Sequence, residues 1–435
     1  MANMQKLLII SYFFPPCNLT ASQRTLAWSQ YLHEFGFYPI IISRKWEKEI
    51  IELKDMSAST SKGCEIKKDK KHTIIRVPFS GSLKDRLYSK YGDTKWSILR
   101  KFLSLFEIIM QNFFVAINPS KLIYYKAKSI LQNDSTISKV IITGSPFICF
   151  YYGYLLKKKF PHIKWIADYR DDWSTTDLKK PKSVLKKVLF SLEKNRELKW
   201  LSNASTFTTV SEFYEKKINN FILKKGHVLL NGYDEKFDDF QSLKSFENEF
   251  IITYNGSLYH SQDIEPFIMI IIKLIKEFKE IIKIKLLFPG LAFDNEQKYR
   301  VEKLLLGFEN HYWISGRIER KKVIQLQFKS HLLLMISHKG LKGIPSSKLY
   351  EYVGLKKPIL LYPNDKDIIE KTLIETGLGV VCNSTDEMEK KLRNIIYSHI
   401  KKEKNCIEPN LKSIQNYTRK NQTKILANII NSLNS

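Results

Sequence analysis

The sequence alternates short, almost wholly apolar runs with longer amphipathic segments, and this alternation limits the fold to one class. Near the start, KLLIISYFF (6–14) and YPIIIS (38–43) flank ASQRTLAWSQYLHEFG (21–36), which ends at Gly36. A strand, a helix and a second strand at this spacing form a βαβ unit, whose strands are parallel. The sequence therefore predicts an α/β protein built on parallel sheets. We expect the first run to be a buried strand and not a secretion signal, because Pro15–Pro16 interrupts it.

The alternation occurs in two series, which predict two domains of similar size. A polar segment at 235–249 is expected to link them, and FIITYNGSLY begins the second series at Phe250. The predicted domains are residues 1–240 and 241–410, followed by a C-terminal helical region at 411–435. Ligands of such sheets bind beyond the carboxyl ends of the strands, so we expect a site in a cleft between two Rossmann-like, doubly wound domains that face each other. The polar residues 54–72 are predicted to form a loop.

Composition excludes some classes of protein. The 435 residues are 43% hydrophobic, which is ample for packed cores. The formal charge of +27 favours anionic partners such as acidic lipid or phosphorylated substrates, or it reflects a lysine-rich surface with no specific partner. No helix-turn-helix, ribonucleoprotein or zinc motif is present, so we expect no nucleic-acid partner.

Cysteine spacing and glycine motifs exclude further classes of protein. Five scattered cysteines lack metal-ligand spacing, which is typical of a reducing cytoplasm and predicts no metal. Gly-x-Gly-x-x-Gly and Walker motifs are also absent, and we expect no cofactor.

The motif DYRDDW follows a predicted buried strand and gathers charged side chains at its end. It contains Asp168, Arg170, Asp171 and Asp172. A carboxylate there could act as a base or orient a substrate hydroxyl. Two alternatives remain open at this point: an arginine–carboxylate network that fixes the loop, and a divalent metal site.

A second candidate site lies in KGIPSSKLYEYVGLKKPILL (342–361). Ser346, Ser347 and Lys348 are predicted to begin a helix that ends at Gly354, and at the start of this helix backbone N–H groups and the helix dipole favour an anion. Glu351 follows one turn later, and a carboxylate can accept hydrogen bonds from the vicinal hydroxyls of a ribose. The residues therefore predict a nucleotide site. The alternative is a capped helix in which Glu351 only complements the dipole.

The motifs occur in an order that resembles the family 4 glycosyltransferases, and in particular their bacterial branch with an Asp-Phe-Arg-Asp-x-Trp motif. In chain order they are FPP with the following helix that contains Arg24, NPSKLIYYKAKSIL, IITGSPF, ADYRDDW, TVSE, LLNGYD, ITYNGSLY and GIPSSKLYEYVGLKKPIL. Each motif is short, but the ordered set covers nearly the whole chain.

The resemblance implies a GT-B fold that transfers a sugar, with retention of anomeric configuration and without a metal, in surface polysaccharide synthesis. It implies a nucleotide-sugar donor on the C-terminal domain and a glycan or lipid-linked acceptor on the N-terminal domain, with the C-terminal helix packed on the latter. The predicted donor-binding residues are Gly256, Ser257, Arg317, Pro345, Ser346, Ser347, Lys348 and Glu351. The predicted catalytic residues are Asp168, Arg170 and Asp171, and the acceptor-side residues are Asn18, Arg24 and Ser145.

Three positions depart from the family pattern. Glu351 matches the second Glu of the family's Glu-x7-Glu motif, but the first would fall at Gly343. The family's Arg and Lys pair after the first strand of the C-terminal domain is missing from NGSLYHSQD, and Lys348 and Arg317 are expected to take over part of its role. The usual Gly-Gly of the N-terminal loop reads Thr20-Ala21-Ser22. A catalytically silent partner subunit of the same fold is therefore an alternative, and a basic nucleic-acid-binding protein is a weaker one.

Two segments predict contact with an anionic membrane. Residues 96–117 are apolar over much of a helical circumference, and residues 179–199 form a lysine-rich helix. We expect a cytoplasmic protein with these helices at the inner face of the cytoplasmic membrane. The alternative is a core helix beside a solvated basic neighbour.

Overall fold

The computed structural model describes residues 4–92, 95–111, 114–177, 183–234, 248–403 and 407–433. The chain forms two compact units, one of Met1–Leu230 with Thr423–Ser435 and one of Asn231–Gln422. The first unit thus closes at Leu230, where the sequence analysis placed a boundary at 240. Most of the predicted linker lies outside the described residues.

The first unit is a parallel sheet with helices on its faces. Its strands are β1 (Gln5–Ile10), β2 (Phe37–Arg44), β3 (Glu65–Lys68), β4 (Thr73–Val77), β5 (Lys139–Gly144), β6 (Lys164–Tyr169), β7 (Thr206–Thr209) and β8 (Gly226–Val228). Its helices are α1 (Thr20–Tyr31), α2 (Leu83–Tyr91), α3 (Ser97–Met110), α4 (Lys121–Asn133), α5 (Ile148–Lys159), α6 (Val184–Leu201) and α7 (Glu212–Ile222). The strand order is β3-β4-β2-β1-β5-β6-β7-β8, and every neighbouring pair is parallel except β3 with β4. The order reverses between β1 and β5, the point at which doubly wound sheets bind ligands.

The second unit has the same plan with six strands. They are β9 (Glu249–Thr253), β10 (Lys283–Phe288), β11 (Tyr312–Ile314), β12 (Leu332–Met335), β13 (Ile359–Leu361) and β14 (Gly379–Val381). The helices are α8 (Glu265–Phe278), α9 (Asn295–Leu304), α10 (Arg320–Lys329), α11 (Ser347–Leu355), α12 (Ile368–Thr376), α13 (Thr385–Ile400) and α14 (Leu411–Asn416). The order β11-β10-β9-β12-β13-β14 is parallel throughout and reverses between β9 and β12. Numbered within the unit, this is the Rossmann order 3-2-1-4-5-6. The prediction of two Rossmann-like α/β units is confirmed.

The apolar runs become central strands because both faces of a parallel sheet are covered. Leu7, Leu8, Ile9 and Ile10 of β1 are all fully buried. The last helix, α15 (Arg419–Ser432), supplies part of the same core through Leu426, Ala427, Ile429 and Ile430. The residues that join the first unit begin at Thr423, within the predicted C-terminal region.

Two local predictions were wrong. The loop predicted at 54–72 contains β3, whose sequence EIKK is exposed and pairs antiparallel with β4 at the edge of the sheet. Gly354 does not end its helix, because α11 continues to Leu355 and Lys356 adopts the left-handed conformation, with φ of 56°. Within the described residues, no helix has both the length and the apolar character needed to cross a membrane.

Candidate functional site

In the second unit, two loops meet where the strand order reverses. One loop follows β9 and carries Asn255, Gly256 and Ser257, and the other follows β12 and leads into α11. Gly256 has a φ of 82°, a conformation that favours glycine, and its N–H donates to Pro289 O at 2.7 Å. The predicted residues Gly256, Ser257, Lys348 and Glu351 therefore lie at one edge of one sheet.

Lys348 is held against the strand-end turn. Its Nζ donates to Ser257 O at 3.0 Å and lies 3.7 Å from the ring centre of Tyr254. Burial lowers the pKa of Lys348 to about 7, and the nearby Glu351 opposes this shift only in part. An ammonium has three donor hydrogens, so a lysine placed here can bind an anionic group while it keeps the Ser257 contact. Binding of such a group would favour the charged form of the lysine.

Glu351 lies one turn further along α11 and has neighbours from two other segments, the loop after β9 and helix α10. Its Oε1 accepts hydrogen bonds from Asn255 Nδ2 at 3.3 Å and Gln327 Nε2 at 2.9 Å. Its Oε2 lies 3.2 Å from an Arg320 guanidinium nitrogen, and the Arg320 side chain is 46% exposed. An exposed arginine can move, so Oε2 is the oxygen that a ligand hydroxyl can reach. Three side chains therefore contact this carboxylate, in addition to any interaction with the helix dipole.

The start of α11 agrees with the sequence prediction. Ser346 is the N-cap, and its Oγ accepts a hydrogen bond from the Lys348 N–H at 3.4 Å. Pro345 before it is buried, and Ser347 is the first helical residue. Gly343, where the family motif would have its first Glu, has a φ of 75°, and its N–H donates to Asp367 Oδ2 at 2.5 Å.

Arg317, also a predicted donor-binding residue, contacts an aromatic ring. Its guanidinium stacks at 4.6 Å over the ring of Phe293, and the residue is exposed. A role for Arg317 in diphosphate binding stays a prediction. Three residues that the sequence analysis missed are Asn255, Arg320 and Gln327, which surround Glu351. Asn255 adjoined a predicted residue and could have been found, but nothing in the pattern of α10 singles out Arg320 or Gln327.

In the first unit, the DYRDDW motif begins with a buried ion pair. Arg24 donates from Nε to Asp168 Oδ2 at 3.1 Å and from a terminal nitrogen to Oδ1 at 2.7 Å. Thr208 Oγ1 donates to the same Oδ1 at 2.7 Å, and Asp168 is fully buried. Arg24 also donates to the carbonyls of Leu229 and Leu230. A carboxylate with both oxygens so occupied favours the structural alternative for Asp168, and its catalytic role stays a prediction.

The rest of the motif forms a folded loop. Arg170 pairs with the exposed Asp171 at 2.5 Å. The buried Glu197 of α6 accepts hydrogen bonds from Tyr169 Oη at 2.8 Å and Ser174 N at 3.0 Å, and burial raises its pKa to about 7. Burial also raises the pKa of Asp172 above its usual range. The described residues contain no group of three or more His, Cys, Asp or Glu side chains suited to a metal ion, so the metal alternative lacks a ligand set there.

The predicted acceptor-side residues have different surroundings in the first unit. Ser145 lines a cavity of about 490 Å³ at the ends of β1 and β5, together with Phe13, Trp173 and Arg196. Asn18 is exposed and accepts a hydrogen bond from Ile50 N at 3.1 Å. Arg24 is buried against Asp168. An acceptor role for Asn18, Arg24 and Ser145 stays a prediction, and of the three only Ser145 is among the described residues that line this cavity.

Solved structures share this architecture across both units. A sucrose-phosphate synthase from Thermosynechococcus elongatus matches with a TM-score of 0.63 at 12% identity, over 99% of this chain and 99% of that chain. An α,α-trehalose 6-phosphate synthase from Burkholderia multivorans matches with a TM-score of 0.63 at 10% identity, over 99% and 97% of the two chains. The trehalose-6-phosphate structure from E. coli that is bound with UDP-2-fluoro glucose matches with a TM-score of 0.59 at 11% identity, over 98% of each chain. No family model matches the sequence, and no curated protein matches it. At these identities the likeness establishes the fold, which is that of GT-B glycosyltransferases.

Proposed function

We propose that the protein is a glycosyltransferase that takes a sugar from a nucleotide-sugar donor. The observation that carries the proposal is the cluster at the reversal point of the second sheet, where Lys348, Glu351 and the Asn255–Ser257 turn meet. A cation beside backbone groups at a helix start suits a diphosphate, and a carboxylate one turn away suits a ribose. The E. coli structure with bound UDP-2-fluoro glucose, which has the same fold, supports this choice of ligand.

The proposed chemistry assigns each group in the second unit a step in binding. Lys348 binds the diphosphate of the donor and stabilises the negative charge that grows there as the bond to the sugar breaks. Glu351 Oε2 accepts a hydrogen bond from a ribose hydroxyl, while Asn255 and Gln327 hold the carboxylate in place by donating to Oε1. Gly256, Ser257, Pro345, Ser346 and Ser347 supply the backbone around the diphosphate.

The finer assignments rest on the sequence resemblance. We propose membership of the family 4 glycosyltransferases, transfer with retention, and a role in surface polysaccharide synthesis with a glycan or lipid-linked acceptor. NMR of the anomeric proton in the product tests retention, which an inverted product would refute. No metal is proposed as a participant.

We also propose a cytoplasmic location at an anionic membrane, through α3 and α6. In α3, which is fully described, Glu107 is the only buried residue, and Ile98, Phe102 and Phe106 are 82%, 66% and 49% exposed. These values argue against the alternative of a core helix. The lysines of α6 and its exposed Val184 lie in the same unit, where they would add electrostatic attraction to acidic lipid.

A catalytically silent partner subunit is the second candidate. Gly343 favours it, because this position lacks the side-chain carboxylate of the family motif, and its backbone N–H bonds to Asp367 instead. Incubation of the full chain with a panel of radiolabelled nucleotide sugars, without acceptor, separates the two. We expect one donor to bind and to be hydrolysed slowly. Binding without turnover, also when acceptors are added, would favour the silent subunit, and no binding of any donor would refute the transferase.

A further inference from the structure

Two cavities adjoin in the first unit. One is the cavity of about 490 Å³ at the ends of β1 and β5, and the other has a volume of about 900 Å³ and lies among α2, α3 and α6. Lys84, Asp85 and Ile108 line both. We call the smaller one the polar chamber and the larger one the apolar chamber. Both volumes are within the range of about 300–1,000 Å³ that is typical of small-molecule sites.

The apolar chamber has hydrocarbon walls. Phe102 and Leu105 of α3 line it together with Leu185 and Leu189 of α6. Phe102 and Leu185 are 66% and 58% exposed, so large apolar side chains around this recess contact water. Apolar surface left in water costs free energy, and a hydrocarbon chain that filled the recess would remove that cost.

The charges around the apolar chamber favour an anion. Lys84, Arg100 and Lys101 line it, against the single carboxylate of Asp85 among its described lining residues. Lys84 and Asp85 lie where the two chambers join. Lys84 is already paired with Glu107 at 2.9 Å, so a negatively charged group between a hydrocarbon tail and a polar head would be attracted mainly by Arg100 and Lys101.

The polar chamber suits a head group with hydroxyls. It is lined by Glu107, Glu193 and Arg196, with the aromatic rings of Phe13 and Trp173. The Arg196 guanidinium donates to Ile108 O, but its buried Nε has no hydrogen-bond partner among the described residues. Carboxylates accept from hydroxyls and a guanidinium donates to them, so this set can bond both ways to a sugar.

We infer that the two chambers together bind the acceptor as a single-chain anionic glycolipid, with its hydrocarbon chain in the apolar chamber and its sugar in the polar chamber. The inference rests on the proposed transferase function and selects the lipid-linked class of acceptor. The head would lie at Ser145 and Phe13, beyond the ends of β5 and β1, where a doubly wound sheet presents its ligand. A flat membrane surface would contact all the protruding side chains of α3 equally. A hydrocarbon chain inserted in the apolar chamber would contact only the side chains that line it.

The test uses the full chain and 11-(dansylamino)undecanoic acid, a fluorescent single-chain anion. We expect saturable binding that dodecyl phosphate displaces and butyl phosphate does not. Phe102→Ser and Ser104→Trp should each weaken binding about tenfold, because one removes a wall of the apolar chamber and the other fills it. Phe106→Ser is the matched control: it removes an exposed ring from the same helix, but Phe106 lines neither chamber, and we expect less than a twofold change.

Two results would overturn the inference. They are non-saturable binding, and equal effects of Phe102→Ser and Phe106→Ser, which would indicate adsorption on an open surface. Donor binding measured on the same protein separates this failure from failure of the proposed function. If Lys348→Met loses donor binding but binds the probe normally, the donor site and the two chambers are independent. Donor turnover without saturable probe binding refutes the lipid acceptor and leaves the transferase.

Discussion

The affinity for a nucleotide sugar should depend on pH through Lys348. Burial lowers the pKa of this lysine to about 7 in the free protein, so part of the population lacks the charge that would bind a diphosphate. Binding of the diphosphate would stabilise the ammonium and draw a proton from solution. We therefore expect the affinity for UDP-glucose to fall as the pH rises above about 7. UDP-glucose is the right probe, because its diphosphate does not titrate in this range.

The size of the effect follows from the pKa. If the bound lysine stays protonated, the apparent Kd should rise by about 25-fold from pH 6.5 to pH 8.5 and should approach a slope of about tenfold per pH unit. Near pH 8, about one proton should be taken up per molecule bound. Burial lowers the pKa of the neighbouring His338 below its usual value, so it contributes little in this window.

Calorimetric titration in buffers of different ionisation enthalpy measures both quantities. Lys348→Met should bind weakly at all pH values and should show no proton uptake. Loss of one charge-assisted hydrogen bond corresponds to about 1.5–3 kcal/mol, or about tenfold to over a hundredfold in Kd. The matched control is Lys339→Met, which removes a lysine that is 78% exposed from the loop before α11, and it should behave like the parent.

Stability gives an independent check on the same residue. Because the folded-state pKa of Lys348 is lowered, the partly buried ammonium destabilises the fold below about pH 7, and this cost disappears as the pH rises toward the ordinary lysine pKa. Lys348→Met should therefore not reduce the free energy of unfolding at pH 6.5. A parent Kd that is flat with pH, or a pH dependence that persists in Lys348→Met, would refute the assignment of Lys348 to the diphosphate.

Four further predictions follow from other parts of the structure. Glu351→Gln should weaken the binding of uridine and of UDP to a similar extent, by about tenfold or more, because both ligands contain the ribose. Calorimetry that shows parent-like binding of both ligands would contradict the ribose role. Asp168→Asn should lower the free energy of unfolding by about 3–5 kcal/mol in urea titrations while UDP-glucose affinity is unchanged, because it leaves Arg24 buried without its charge partner. Glu197 has a folded-state pKa of about 7, above its ordinary value of 4.5. Its contribution to the free energy of unfolding should therefore be full below about pH 4.5 and should be lost as the pH rises through 7. Glu197→Gln should remove this pH dependence of the free energy of unfolding. The full chain should co-float with anionic liposomes at low salt and dissociate at high salt, whereas flotation with neutral liposomes only would contradict the electrostatic part of that proposal.

The sequence by itself determined the two α/β units and the start of the candidate donor helix. These features are encoded locally: short apolar runs such as Leu7–Ile10, followed by turn residues, favour buried strands, and a serine before a helical segment can cap it wherever that segment packs. The order of the strand-end motifs was also readable, because a parallel βαβ chain places every strand end on the same edge of its sheet. For this reason the sequence could predict that Lys348 and Glu351 lie at the same edge of the sheet as the Gly256 turn.

Only the tertiary structure decided which partners these side chains have. Arg24 and Asp168 are far apart in the sequence, and no local pattern predicts that they form a buried ion pair. Arg320 reaches Glu351 from a neighbouring helix, which depends on how α10 and α11 are placed beyond β9 and β12. Such contacts arise from long-range packing, so periodicity, which reports only on neighbours within a few residues, contains no information about them.

The same reason explains the edge strand and the exposed helix. β3 has the sequence EIKK, which lacks apolar alternation, and it is a strand because β4 offers it an unpaired edge. In α3 the apolar pattern fits a core helix and a surface helix equally well, and its burial depends on what else the chain places against it. In the structure the apolar side chains of α3 lie beside the apolar chamber and are not buried in a core. A sequence pattern states what a segment can bury, and the surrounding structure decides whether it does.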